Sequence, residues 1–156
     1  MSDTELKTYV KIIEQSYASF RDYLEHLPED ALDWKINEFS GSPRWIISHV
    51  IKDQYLFTDF IVKGKTFSSQ LEIEEIKGDI DTILKKFDKM VKETVGSIQT
   101  LRNEDLERIR EMKNYKMTVE ELLFEFIYHI NHHSGQLAMI LSSWKRSRKA
   151  KSDKKD

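Results

Sequence analysis

The apolar residues Leu6, Val10, Ile13, Tyr17, Phe20, Leu24 and Leu27 recur at intervals that alternate four and three. That spacing keeps one stripe of a helix turned toward a near-parallel neighbour along its whole length, so a long helix here must be covered by other long helices. Ser2 or Asp3 offers a cap for its start, Glu5 sits in the favourable first turn, and Pro28 stops it. With only 2 Pro and 5 Gly in 156 residues, the chain has too little punctuation for a sandwich or barrel of many short strands.

Three further stretches read the same way. Ser42 followed by Pro43 pairs a side-chain cap with the residue that needs no helical N–H, and opens a second helix running to about Val62 before Gly64. A third covers Lys77 to Leu101 on the stripe Ile76, Ile80, Ile83, Phe87, Met90, Thr94, Ile98 and Leu101, with Gly78 weakening its first turn. The fourth opens at Thr118, whose hydroxyl pairs with Glu121 in a capping box, and runs to about Trp144, interrupted only by Gly135. No segment alternates as a strand does. Residues 28–42 read as short turns, with Trp34 plugging one end of the core. The expected fold is all-α, a four-helix bundle with long connections after each of the first three helices.

Charge and composition narrow the function classes. Residues 144–156 carry a net +5, leaving −7 on residues 1–143. An acidic body repels phosphate backbones, which excludes a nucleic-acid partner. The expected organisation is one domain over residues 1–144 and a basic, disordered tail over 145–156. No apolar run approaches the ~18 residues of a membrane helix. The opening Met-Ser-Asp-Thr-Glu is not a signal peptide, so the expected compartment is the cytoplasm. With 0 Cys there is no disulfide, no thiolate nucleophile and no cysteine-based zinc site.

The polar residues on the stripes are therefore the informative ones. His129 and His133 are one helical turn apart and share a face with Leu122, Phe126, Leu137, Ile140 and Trp144. On the second helix His49 shares a face with Trp45, Asp53, Leu56 and Phe60. Two helices thus direct imidazole nitrogen into the apolar interior, where an unpaired polar ring costs free energy. A divalent ion would satisfy all three rings at once. Hydrogen bonds to Asp53, Gln136 or a buried water are the alternative. Asp53, one turn after His49, could orient that ring or supply an oxygen ligand. His132 falls at the flank, and with Gln136, Tyr128 and Asp53 is a candidate to support or line the site. Ile130 replaces the general base of a zincin motif, and no second Glu-x-x-His unit exists for a di-iron bundle.

Trp34 after Leu27-Pro28-Glu29-Asp30, then Trp45-Ile46-Ile47-Ser48-His49, then His129-Ile130-Asn131-His132-His133-Ser134-Gly135-Gln136-Leu137 resemble the DinB-like superfamily over roughly residues 5–144. The resemblance implies an antiparallel four-helix bundle with unusually long connections, often dimeric, with His49, His129 and His133 as a triad for zinc, nickel or a similar ion. It further implies a thiol-dependent transferase or isomerase. One position departs: Ser134 stands where the family often has Arg.

The expected function is a divalent-metal-dependent thiol S-transferase acting on an electrophilic small molecule. Three neutral histidines leave a position open on the ion, and a chain without cysteine must take its sulfur nucleophile from a low-molecular-weight thiol. A metal-dependent hydrolase, or a non-catalytic stress-response module stabilised by its metal, are the alternatives. The expected pocket margins are the loops at 63–76 and 102–117, and a homodimer is the expected assembly.

Overall fold

The computed structural model describes residues 4–68 and 72–152. It contains helices α1 (Thr4–Glu25), α2 (Pro43–Lys63), α3 (Ile80–Ile98) and α4 (Val119–Ser152), with a hairpin of β1 (Ile109–Met112) and β2 (Tyr115–Thr118) before the last helix. Short 3-10 turns at Glu29–Ala31 and Asn103–Asp105 follow α1 and α3.

Helices α2, α3 and α4 begin where local chemistry satisfies their first N–H groups. Ser42 Oγ accepts from Trp45 N at 3.2 Å, with Pro43 in the first turn, and Gly64 closes α2 at φ 70°. The capping box at α4 forms as read: Glu121 N donates to Thr118 Oγ1 at 3.1 Å and Thr118 N donates to Glu121 Oε2 at 2.7 Å. Helix α3 starts at Ile80 and ends at Ile98, inside the expected 77–101. Asp79 sets the start, its Oδ1 accepting from Thr82 N at 2.9 Å, and Gly78 makes the preceding turn at φ 112°. The proposed caps Ser2 and Asp3 lie outside the described residues.

Helix α1 packs against α3 and α4, and α2 packs against the same two, so consecutive helices α1 and α2 sit on a diagonal. The pairings fix directions. Tyr9 meets Glu120 and Phe124, and Ser16 meets Asn131, so α1 and α4 run the same way. Arg21 pairs with Asp88, and the N-terminal turn of α1 bonds Asn103, so α3 runs opposite to α1. Tyr55 bonds Glu93 while Arg44 reaches Gly78, so α2 runs with α3. Two helices point each way, and the antiparallel contacts are α1 with α3 and α2 with α4. At the centre Phe20 stacks on Phe87 at 5.2 Å, and Tyr17 meets Phe87 and Phe126 edge-on. Trp34 packs half-buried against this core.

Because α2 and α3 are parallel neighbours, the chain between them must return the length of α2. Residues 64–68 and 72–79 lie along its surface. Phe67 packs on Phe57 and Phe60, Lys52 Nζ bonds the Glu72 carbonyl, and Ile76 N donates to Ser48 Oγ at 2.9 Å.

Two expectations are corrected. The stretch read as a loop at 102–117 contains the hairpin, in which Met112 pairs with Tyr115 across a two-residue turn with Lys113 at φ 53°. Its strands are four residues each, too short for alternation to register. Helix α4 also does not end at Trp144 but continues to Ser152, so residues 145–152 of the expected disordered tail are helical. Lys, Arg and Ala are good helix formers, Lys149 and Lys151 suit the negative end of the helix, and Arg148 both pairs with Asp30 and lies 5.1 Å over the Trp144 ring. Among the described residues no helix is long and apolar enough to cross a membrane.

Candidate metal centre

Antiparallel packing brings the second turn of α2 level with the middle of α4, and the three stripe histidines meet there. One nitrogen from each of His49, His129 and His133 lies within 4.8 Å of the others. Nε2 of His129 and Nε2 of His133 are 3.2 Å apart, and Asp53 Oδ2 is 3.4 Å from the Nε2 of both His49 and His129.

Each ring is held from behind. Trp45 stacks on His49 at 5.3 Å with 9° between planes, and Phe57 flanks His129 at 5.9 Å. His133 Nδ1 donates to Gln136 Oε1 at 2.7 Å, which leaves the Nε2 lone pair facing the centre. His129 Nδ1 lies 3.2 Å from Gln54 Nε2, and Gln54 Oε1 accepts from Tyr17 Oη at 2.9 Å.

Burial pushes His133 down to about 4, with the neighbouring imidazoles acting the same way and the Gln136 hydrogen bond opposing. Burial also lowers His49; Asp53 opposes, while His129 and Lys52 add to the lowering. Both rings are therefore neutral at pH 7, the form that ligates metals. The donor set fits a divalent ion. Two nitrogens on a tetrahedral ion at 2.0–2.1 Å lie about 3.3 Å apart, close to the His129–His133 separation, and imidazole nitrogen with one carboxylate oxygen suits borderline divalent metals.

The other sequence candidates separate cleanly. Asp53 Oδ2 lies 3.4 Å from Nε2 of both His49 and His129, on the side of those rings that faces the cluster. Gln136 supports His133, and its Nε2 reaches His132 Nε2 at 3.2 Å. His132 is exposed, and Tyr128 stacks on it at 6.0 Å on the solvent side, away from the cavity. Ser134 is buried, and its hydroxyl donates to the Ile130 carbonyl at 3.1 Å.

The centre floors a cavity of about 490 Å³ lined by Trp45, His49, Lys52, Asp53, Leu56, Phe57 and His129 from the helices, with Phe67, Ser68 and Ile73 from the returning segment and Met112 from the hairpin. Both segments expected at the pocket margin are there, although the sequence did not single out Phe67, Ile73 or Met112. It also missed Gln54, which is fully buried. The signal existed: Gln54 interrupts the stripe Ile47, Val50, Ile51, Thr58 and Ile61 of α2, as the histidines interrupt that of α4.

A family model of the DinB superfamily matches residues 12–137. Among solved structures, the DinB-like protein YjoA of Bacillus subtilis is 23% identical, with 88% of this chain and 92% of that one covered and a TM-score of 0.73. A DinB-like protein of Bacillus cereus is 18% identical over 93% of this chain and 95% of its own, with a TM-score of 0.75. YfiT of Bacillus subtilis, described as a probable metal-dependent hydrolase with an unusual four-helix bundle topology, is 14% identical over 90% and 87%, with a TM-score of 0.69. At these identities the likeness is one of fold. No functionally curated protein matches.

Proposed function

Because this chain belongs to the DinB superfamily, we propose that it is a thiol S-transferase that holds one divalent ion, zinc or nickel, on His49, His129 and His133. The observation that carries the reading is the convergence of one nitrogen from each of the three histidines, with Asp53 Oδ2 beside two of them, next to a cavity that His49, Asp53 and His129 line. An ion held there lowers the pKa of a coordinated thiol or water and presents it as a nucleophile at neutral pH.

The chain supplies the rest. Gln136 fixes the His133 tautomer, Trp45 stacks on His49, and Phe57 flanks His129. Asp53 Oδ2 receives the proton that the nucleophile gives up. Lys52 at the rim offers a cation to an anionic thiol or substrate. With 0 Cys in the chain, the sulfur arrives on a small thiol. It forms a bond to an electrophilic carbon as the leaving group departs with its electron pair. Hydrolysis is the second reading, favoured by the description of YfiT, and uses the same groups with water in place of the thiol.

The test is elemental analysis of the purified protein, followed by free-thiol titration with an electrophile present. We expect about one ion per chain, lost in His49→Ala, His129→Ala and His133→Ala, as for other three-histidine centres. Thiol consumed in step with electrophile supports transfer. Electrophile or ester consumed with thiol untouched supports hydrolysis. A metal that raises the melting temperature with neither reaction would leave a non-catalytic, metal-stabilised module.

A further inference from the structure

Behind His129 a line of buried polar atoms passes through all four helices. His129 Nδ1 lies 3.2 Å from Gln54 Nε2, Gln54 Oε1 is 2.9 Å from Tyr17 Oη, and Tyr17 Oη is 3.1 Å from Thr94 Oγ1. Thr94 Oγ1 ends the line by donating to the Met90 carbonyl at 2.8 Å. Gln54, Tyr17 and Thr94 are at most 2% exposed, so no solvent substitutes for any member.

A neutral imidazole has one proton, and this line determines where it sits. When Gln54 Nε2 donates to His129 Nδ1, the proton is on Nε2, the nitrogen that faces Asp53 and His133. Ligation through Nε2 needs a lone pair there, hence the proton on Nδ1 and an acceptor opposite it. Gln54 carries that acceptor. A half-turn of its amide exchanges oxygen and nitrogen, which are nearly equal in size. Gln54 Nε2 then donates to Tyr17 Oη, Tyr17 donates its own proton to Thr94 Oγ1, and Thr94 donates to Met90 as before. In the first setting Tyr17 gives its proton to Gln54 and Thr94 gives its own to Met90, so their 3.1 Å contact carries no proton. The reversal puts the Tyr17 proton there, and each side chain keeps at least one hydrogen bond in both settings.

We propose that Gln54, backed by Tyr17 and Thr94, is the positioning residue of the metal centre: the orientation of its amide sets which His129 nitrogen carries the proton, and the reversed orientation supplies the tautomer that binds the ion. This rests on reading the three histidines as ligands. It differs from an ordinary packing role in the sign of one substitution. Gln54→Glu presents only acceptors, holds the proton on Nδ1 and strengthens the ligand, whereas Gln54→Met offers His129 nothing.

The experiment measures zinc affinity by competition with a chromophoric chelator, together with ¹⁵N imidazole shifts of His129 in chelator-treated protein. We expect Gln54→Glu to bind zinc more tightly than wild type and Gln54→Met about 10–100-fold more weakly, the range found for groups that support metal-bound histidines. Tyr17→Phe, which keeps the ring in the core, should weaken binding by about two- to tenfold through one lost hydrogen bond. The shifts should place the His129 proton on Nε2 in wild type and on Nδ1 in Gln54→Glu. Equal weakening by Glu and Met, or an unchanged tautomer, overturns the proposal. If wild type binds no zinc but the tautomer moves as stated, the ligand reading fails and the relay stands.

Discussion

Arg44 joins two connections that the helices alone do not tie together, and replacing it with Met isolates what that junction contributes. Its guanidinium meets Asp33 through Nε at 2.6 Å and Nη2 at 3.0 Å, while Nη1 donates to the carbonyls of Ile76 at 2.8 Å and Gly78 at 2.7 Å. Asp33 is 67% exposed, so water replaces most of what it loses and the ion pair is worth about 0–1 kcal/mol. The carbonyl bonds come from a charged donor whose side chain is only 16% exposed; bonds of this kind carry about 1.5–3 kcal/mol, less where water can reach the acceptor. Arg44→Met should therefore cost about 2 kcal/mol, or roughly 4–8 °C in melting temperature for a domain of this size. Asp33→Asn should cost under about 1 kcal/mol. Arg44→Lys should recover less than half, since a point charge cannot serve all three partners. Urea unfolding followed by circular dichroism gives these numbers. Hydrogen exchange at Ile76 N should accelerate in Arg44→Met, because the returning segment loses its anchor at that end. Equal costs for Asp33→Asn and Arg44→Met would place the energy in the ion pair and refute the argument.

Two further outcomes follow from single groups. In chelator, His133 titrates at about 4 folded against about 6.5 unfolded, so its contribution is complete above pH 6.5 and lost as pH falls toward 4. Between pH 7.5 and 5 the loss should be about 2 kcal/mol, and His133→Leu should remove that pH dependence from urea titrations. Gly135 faces open space inside α4, so Gly135→Ala should stabilise by about 0.5–1 kcal/mol, whereas Gly64→Ala at φ 70° should destabilise by about 1 kcal/mol; thermal unfolding of the two variants reads the opposite signs.

Local grammar made much of this molecule legible. The stripes and the caps at Ser42 and Thr118 are decided within a few residues, and the histidines stand out because imidazole interrupts an apolar face. What escaped depends on distant partners. Lys113-Asn114 lacks the glycine that marks a tight hairpin, and its four-residue strands are held by α4 and by Arg110, which donates to the Ile61 and Val62 carbonyls. The last turns of α4 gain from Asp30, more than a hundred positions away. Gln54 looked like a lone polar residue until Tyr17 and His129 arrived from two other helices. The order in which helices neighbour one another is not written in any single stripe.

That order bears on how the chain acquires its shape. Helices α1 and α2 lie on a diagonal, so the first half has no helical hairpin in which to start, and α4 contributes one wall to each of the other two pairs it touches. Contacts such as Tyr9 with Glu120, 111 positions apart, close only after the C-terminal helix is available. Bundles joined by short local turns collapse quickly; this one must wait for non-local pairings whose loop closure comes first. On a ribosome α4 emerges after the other three helices, and it is the one that brings His129 and His133 to His49. A chain stopped before residue 129 has one imidazole of the three, so the cluster exists only once most of α4 has been made.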